Sequence, residues 1–238
     1  MKITDDIWEK FDPVTYVEDN YSYIHDEDKK IIEILVNYYK KIPILKKSIE
    51  VGCGPNIYPL MLALSKVTSI DAIEYSQKNI SYLKSQFNKL DKNWLKFWNY
   101  IVNLDFAINK IILPKDLKKK VNIIKGSIYN LPKNKYDLAS MFFCAESITD
   151  EYIGFVEICN NFINCVKPNG YIVAAFMKNS KGYSIADVKF SSVSIDSNDL
   201  QKIFKNKVND LKIYIVPRAK KVLRPGYTGM LVLTGSRK

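Results

Sequence analysis

The sequence is short of several things that would each point to a particular chemistry. It has one histidine and four cysteines, and among its 36 basic residues only Arg218, Arg224 and Arg237 are arginine. The cysteines Cys53, Cys144, Cys159 and Cys165 fall at no metal-like spacing and lie in apolar or glycine-rich settings. They read as reduced thiols in the core of a cytoplasmic protein, and no metal site is expected. Arginine is the side chain that makes bidentate contacts to phosphates and bases. Its scarcity turns the net charge of +11 into a solvated lysine surface rather than a nucleic-acid footprint, with small clusters only at Lys118-Lys119-Lys120 and Lys220-Lys221. The longest unbroken apolar run, 171–177, is far too short to span a bilayer. The acidic opening Met1-Lys2-Ile3-Thr4-Asp5-Asp6 has no apolar run behind it, so no signal peptide is expected. The lone His25, within Tyr23-Ile24-His25-Asp26, reads as an exposed turn residue rather than a base.

What is present is a globular composition, 47% hydrophobic over 238 residues, enough for one large α/β domain. No repeat, low-complexity tract or Gly/Ser linker divides it. Residues 1–45 form a helical lead-in, with a helix over 26–41 carrying Ile31, Leu35 and Tyr38 on one face. From 46 to 238 strands are predicted at 46–51, 67–74, 121–125, 136–143 and 171–177, with helices over 56–65, onward from the N-cap Ser76, and over 150–166. Trp94, Phe97, Trp98 and Ile101 continue at helical spacing and read as core. Lys167-Pro168-Asn169-Gly170 reads as a turn, and a helix at 198–204 precedes two closing strands at 211–216 and 228–234. This alternation predicts a mostly parallel sheet covered on both faces, with the last two strands antiparallel. Ligands bind such sheets at the carboxyl ends of the strands, where the strand order reverses, so chemistry belongs in the loops after the first, second and fourth strands.

Glu50-Val51-Gly52-Cys53-Gly54-Pro55-Asn56 follows the first strand directly. Glycines there let the backbone turn sharply and lie against a ligand. The third glycine of the usual fingerprint is replaced by Asn56. Glu74 ends the second strand, twenty residues beyond Gly54, where a carboxylate can accept from both hydroxyls of a ribose. Strand, GxG, helix, strand and terminal acid together indicate a nucleoside cofactor, leaving a dinucleotide and S-adenosylmethionine both open.

Wider similarity separates the two. Glu50–Tyr58 (EVGCGPNIY) and Glu74-Tyr75-Ser76-Gln77-Lys78-Asn79 resemble the cofactor loops of the nicotinamide, phenylethanolamine and indolethylamine N-methyltransferase family. The lead-in from Phe11-Asp12-Pro13 to Asn20-Tyr21, the segment Lys189-Phe190-Ser191-Ser192 and the turn at 167–170 resemble family segments in the same order. The resemblance runs from about residue 11 to residue 192 and implies a Rossmann-like methyltransferase sheet with residues 1–45 as a lid over the cofactor.

It further implies that Tyr16, Tyr21 and Tyr58 hold the methionine part of S-adenosylmethionine, with Gly52 and Gly54 making room and Glu50 at the strand end facing a positive group. Glu74 would bind the ribose, Tyr75 beside it would belong to the cofactor site, and Asn79 would lie near the adenosine. Ser127 and Ile128 would flank the adenine, where relatives usually carry an aspartate before the aliphatic residue. Phe142 and Cys144 would stand on the cofactor side of the fourth strand. Tyr16, Tyr183, Ser191 and Ser192 would line the acceptor pocket, with Glu146 and Tyr183 as catalytic groups, the former orienting an amine and helping to take its proton. The nicotinamide enzyme's substrate-contacting aspartate corresponds to Ala175, so nicotinamide is not the expected acceptor. The expected partner is a small amine, met by a monomer in the cytoplasm. Attack on the aminocarboxypropyl chain, which would release methylthioadenosine, and methylation of RNA remain the alternatives.

Overall fold

The computed structural model describes residues 5–220 and 225–238; residues 1–4 of the opening, together with Lys221 and Arg224, lie outside them. The lead-in comprises α1 (Asp5–Trp8), α2 (Pro13–Tyr21) and α3 (Asp26–Lys41). Helix α2 starts where it does because Asp12 accepts from the Val14 N–H at 3.0 Å and from the Thr15 hydroxyl at 2.8 Å, with Pro13 suited to the first turn. Helix α3 carries Asp26, Glu27 and Asp28 in its first turn and Lys40 and Lys41 in its last, matching the helix dipole at both ends.

Seven strands form one sheet in the order β3 (Val121–Lys125), β2 (Val67–Glu74), β1 (Leu45–Val51), β4 (Tyr136–Phe142), β5 (Val166–Lys178), β9 (Gly229–Arg237), β8 (Val208–Pro217). Pairing is parallel from β3 to β5, and β9 runs antiparallel to both its neighbours. The order reverses between β1 and β4, which opens a crevice at their carboxyl ends. Helices α3, α4 (Tyr58–Ala63), α5 (Gln77–Asn88), α6 (Lys92–Leu104) and α7 (Lys115–Lys120) contribute to the core on one face; α8 (Tyr152–Cys165) and α9 (Ser197–Phe204) cover the other. Trp94, Phe97, Trp98 and Ile101 are core residues of α6, as their spacing predicts, and the Trp94 indole N–H donates to the Tyr82 hydroxyl at 2.8 Å. Among the described residues no helix is long and apolar enough to cross a membrane.

Two local readings are corrected, and one element is unmarked by the sequence pattern. The turn expected at 167–170 lies inside β5, as an irregularity that shifts the register between Tyr136 and Leu138 and places Asn169 at φ 62°. A separate hairpin, β6 (Tyr183–Ile185) with β7 (Val188–Phe190), escapes any reading by alternation because each strand has only three residues. His25 is buried rather than exposed, at the N-cap of α3, with its ring 4.1 Å from that of Tyr23.

Candidate active site

A cavity of about 370 Å³ opens at the carboxyl ends of β1, β2 and β4. Its floor is the turn after β1. Gly52 and Gly54 both adopt left-handed backbone, at φ 62° and 56°. A Cβ on Gly52 would collide with the Cys144 sulfur, whereas one on Gly54 would meet only open space. The Gly54 position therefore leaves room for a ligand. Asn56, in place of the third glycine, ties two elements together: its Oδ1 accepts from the Tyr58 N–H at 3.3 Å, and its Nδ2 donates to the Tyr21 hydroxyl at 3.1 Å. The departure from the fingerprint thus links the turn to the lead-in, and it accompanies a shorter following helix than the pattern predicts.

Glu74 stands on the wall with both carboxylate oxygens already oriented. Oε2 accepts from the Gly54 N–H at 2.6 Å, and Oε1 accepts from the Ser76 N–H at 2.8 Å and from Asn79 Nδ2 at 3.2 Å. Burial raises its pKa, and these hydrogen bonds oppose the rise. Asn79 itself keeps a buried Oδ1 with no partner among the described residues. A carboxylate held by three donors, beside an unmatched amide oxygen, suits a ligand rich in hydroxyl and amino donors. Ser127 caps the short turn Ile128–Asn130, its Oγ accepting from the Tyr129 N–H at 3.3 Å, and forms the far wall with Gly126 and Ile128.

The near side is aromatic. Trp8 and Phe11 of the lead-in pack on Phe190 of β7 at 5.4 and 5.6 Å between ring centroids, and Tyr183 of β6 stacks on Phe190 at 5.0 Å. The Trp8 carbonyl also accepts from the Ser76 hydroxyl at 3.3 Å, which joins the lead-in to the end of β2. Lead-in and hairpin therefore meet over the cavity mouth.

Of the residues expected from sequence, the cavity gathers Tyr16, Tyr21, Gly52, Gly54, Glu74, Tyr75, Asn79, Ser127, Ile128, Phe142, Cys144 and Tyr183. Five others stand away from its wall. Glu50 is buried under the turn, bonded by the Ser140 hydroxyl, and burial pushes its acid up to about 8 against that bond. Tyr58 lies behind Tyr21 and Phe142, stacked on Phe97 at 5.5 Å. Ser191 is exposed, and the Ser192 hydroxyl donates to that of Ser180 at 3.0 Å.

Glu146 lies farther from the cavity than its expected role suggests. It is fully buried in a 3-10 turn, where its Oε1 accepts from the Met177 N–H at 2.8 Å and its carbonyl accepts from the Val193 N–H at 3.0 Å. The turn rolls the side chain beneath the end of β5, and the neighbouring Ser147 and Ile148 reach the cavity instead. Trp8 and Phe143 were also missed. The Trp8–Phe11 pair was a legible aromatic signal, but Phe143 faces inward from a left-handed position at φ 53°, which no spacing rule reveals.

The profile of the NNMT/PNMT/TEMT family matches residues 2–238. The chain belongs to that family. Human nicotinamide N-methyltransferase is 23% identical over 204 residues, covering 78% of this chain and 76% of that one. Human phenylethanolamine N-methyltransferase is 21% identical over 189 residues, covering 71% and 65%. The fold is also that of the N-methyltransferase NodS from Bradyrhizobium japonicum, solved with S-adenosyl-L-homocysteine, at a TM-score of 0.59 and 9% identity over 95% of this chain and 99% of that one. This member of the NNMT/PNMT/TEMT family is an S-adenosylmethionine-dependent methyltransferase with a Rossmann-like sheet.

Proposed function

We propose that the enzyme methylates an amine nitrogen of a small molecule. The observation that carries this reading is the aromatic share of the cavity wall, to which Trp8, Phe11, Phe143 and Tyr183 all contribute alongside the glycine turn. At about 370 Å³ the whole cavity sits near the lower limit of small-molecule sites, roughly 300–1,000 Å³, so the acceptor sharing it with the cofactor must be compact. Aromatic faces attract cationic and electron-poor groups, by ~0.5–2 kcal/mol per good contact. Relatives named for nicotinamide and phenylethanolamine, both nitrogen compounds, support the same reading.

S-adenosylmethionine supplies a methyl group on an electron-poor sulfonium. Glu74 and Asn79 would hold its ribose and adenosine side, Ser127 and Ile128 its adenine, and Tyr16 and Tyr21 its methionine end. What the chain then contributes is positioning. The rings of Trp8, Phe11 and Tyr183 exclude water, and the walls formed by Phe143 and Ser147 hold a nucleophilic nitrogen facing the methyl group. Tyr183 would touch the acceptor. Glu146 acts through Met177 and is a positioning residue, so the proton lost by the nitrogen is not assigned to it.

The test is a product analysis with pooled small amines set against matched alcohols and carboxylic acids. Methylated amines should form, with the other pools unchanged. Methylated alcohols or acids, with the amines untouched, would overturn the nitrogen assignment.

A further inference from the structure

A second recess, of about 20 Å³, adjoins the cofactor cavity and shares Tyr16, Tyr21 and Phe143 with it. Its remaining walls are Asn20, Asp28, Met177 and Met230. That volume admits one small polar group, the size of a water or an ammonium head. Asp28 supplies the carboxyl group that a cation would ionise. It is 3% exposed, and among the described residues no lysine or arginine forms an ion pair with it. The adjacent Glu27 does not reach the recess, since its Oε1 accepts from the Ala219 N–H at 2.8 Å and from the Tyr227 hydroxyl. Asn20 donates its Nδ2 to the Tyr16 carbonyl at 2.8 Å, leaving Oδ1 as a second oxygen. Among the described residues, then, no cation offsets the desolvation of this buried carboxyl group.

The position of the recess indicates which ligand it serves. None of its walls comes from the glycine turn at 52–56. Phe143 and Met177 stand at the carboxyl ends of β4 and β5, and Met230 near the start of the neighbouring β9. Tyr16 and Tyr21 border the recess on the proposed methionine side, and Phe143, Met177 and Met230 give it a second side, which Glu146 fastens through the Met177 N–H.

We propose that this recess binds a cationic amino group of the acceptor, with Asp28 as its counter-ion. A nitrogen attacking a methyl group needs its lone pair free, whereas one seated against Asp28 is protonated. The preferred acceptor therefore carries two nitrogens, one methylated and one held as an ammonium; this rests on the amine reading above. Desolvation, then the Glu27 charge, push the empty Asp28 acid up to about 8 against hydrogen bonds from the His25 backbone and the Tyr58 side chain, so Asp28 keeps its proton until a cation draws it into the charged form. The other ionisable groups it faces, Tyr21, Tyr58 and Tyr227, supply none.

The experiment measures calorimetric binding of short diamines, and of the amino alcohols that match them in length, to the full chain saturated with S-adenosylhomocysteine. Diamines should bind at least tenfold more tightly than their partners, and Asp28→Asn should abolish the difference while leaving S-adenosylhomocysteine affinity within about twofold. Equal binding of the two series by the wild-type protein would overturn the inference without any variant being made. Loss of S-adenosylhomocysteine affinity in a folded Asp28→Asn protein would overturn it too, by assigning the recess to the methionine end. Should diamines bind through Asp28 yet never be methylated, the subsite stands and the amine-transfer reading fails. Methylation of simple monoamines alone would sink the subsite and leave that reading intact.

Discussion

Glu74 receives three N–H donors before any ligand arrives, so the geometry of its carboxylate is settled in advance of binding. Hydrogen bonds to a charged group are worth about 1.5–3 kcal/mol each. Glu74→Gln should therefore weaken S-adenosylmethionine binding by roughly ten- to a hundredfold in a calorimetric titration, since an amide cannot accept at both positions. Glu146 behaves differently. Glu146→Gln keeps an oxygen for the Met177 N–H and should turn over at close to the wild-type rate. Glu146→Ala leaves that N–H buried without a partner and should lower stability by about 1–3 kcal/mol in denaturant unfolding. Both glutamates were visible in the sequence. Glu74 was readable because a strand end and a spacing place it, whereas the direction of Glu146 depends on a 3-10 turn that no pattern marks.

Glu50 carries a pH signature. Its acid is raised from an ordinary 4.5 to about 8, first by burial, with the Ser140 bond opposing. The folded state therefore holds a proton that the unfolded chain releases. The resulting stabilisation is fully present below about 4.5 and is lost as pH rises through about 8. Asp28, also raised to about 8, acts in the same direction. Melting temperatures of the ligand-free protein should fall between pH 6 and 9, and Glu50→Gln should make that fall shallower. An unchanged slope would remove Glu50 as its source.

At the scale of elements, the mouth of the site is a contact between two short pieces, the lead-in and the β6–β7 hairpin. Trp8 meets Phe11 at 5.9 Å and Phe190 at 5.4 Å. Aromatic pairs are worth ~0.5–1.5 kcal/mol beyond their buried area. Trp8→Ala should therefore speed release of S-adenosylhomocysteine from a few-fold to tens of fold in stopped-flow measurements, and Phe190→Ala should do the same. The sheet was legible because its strands are apolar runs between glycine-bearing turns, and the helices because Ile31 and Leu35, or Trp94 and Phe97, recur at three or four residues. The hairpin was not, since three-residue strands carry no period. The 167–170 segment reads as a turn in sequence because a left-handed Asn169 and a glycine are turn chemistry wherever they occur; here the same residues interrupt a continuous strand.

For the molecule as a whole, the strand reversal between β1 and β4 opens the crevice, and the edge pair β9–β8 closes the sheet beyond β5. Parallel order and the position of the crevice follow from alternation of elements, so they were readable in advance. The proposed acceptor pocket draws single residues from the lead-in, the ends of β4 and β5, the hairpin and β9, which are far apart in sequence and meet only in the fold. That is why Asp28, Phe143 and Ile148 were invisible, and why the acceptor's chemistry rests on geometry. The central claim is methyl transfer at this cavity, and mass-spectrometric identification of the nucleoside formed from S-adenosylmethionine tests it most directly. The account predicts S-adenosylhomocysteine, appearing only when a small amine is supplied. Methylthioadenosine, especially in the absence of any acceptor, would contradict it.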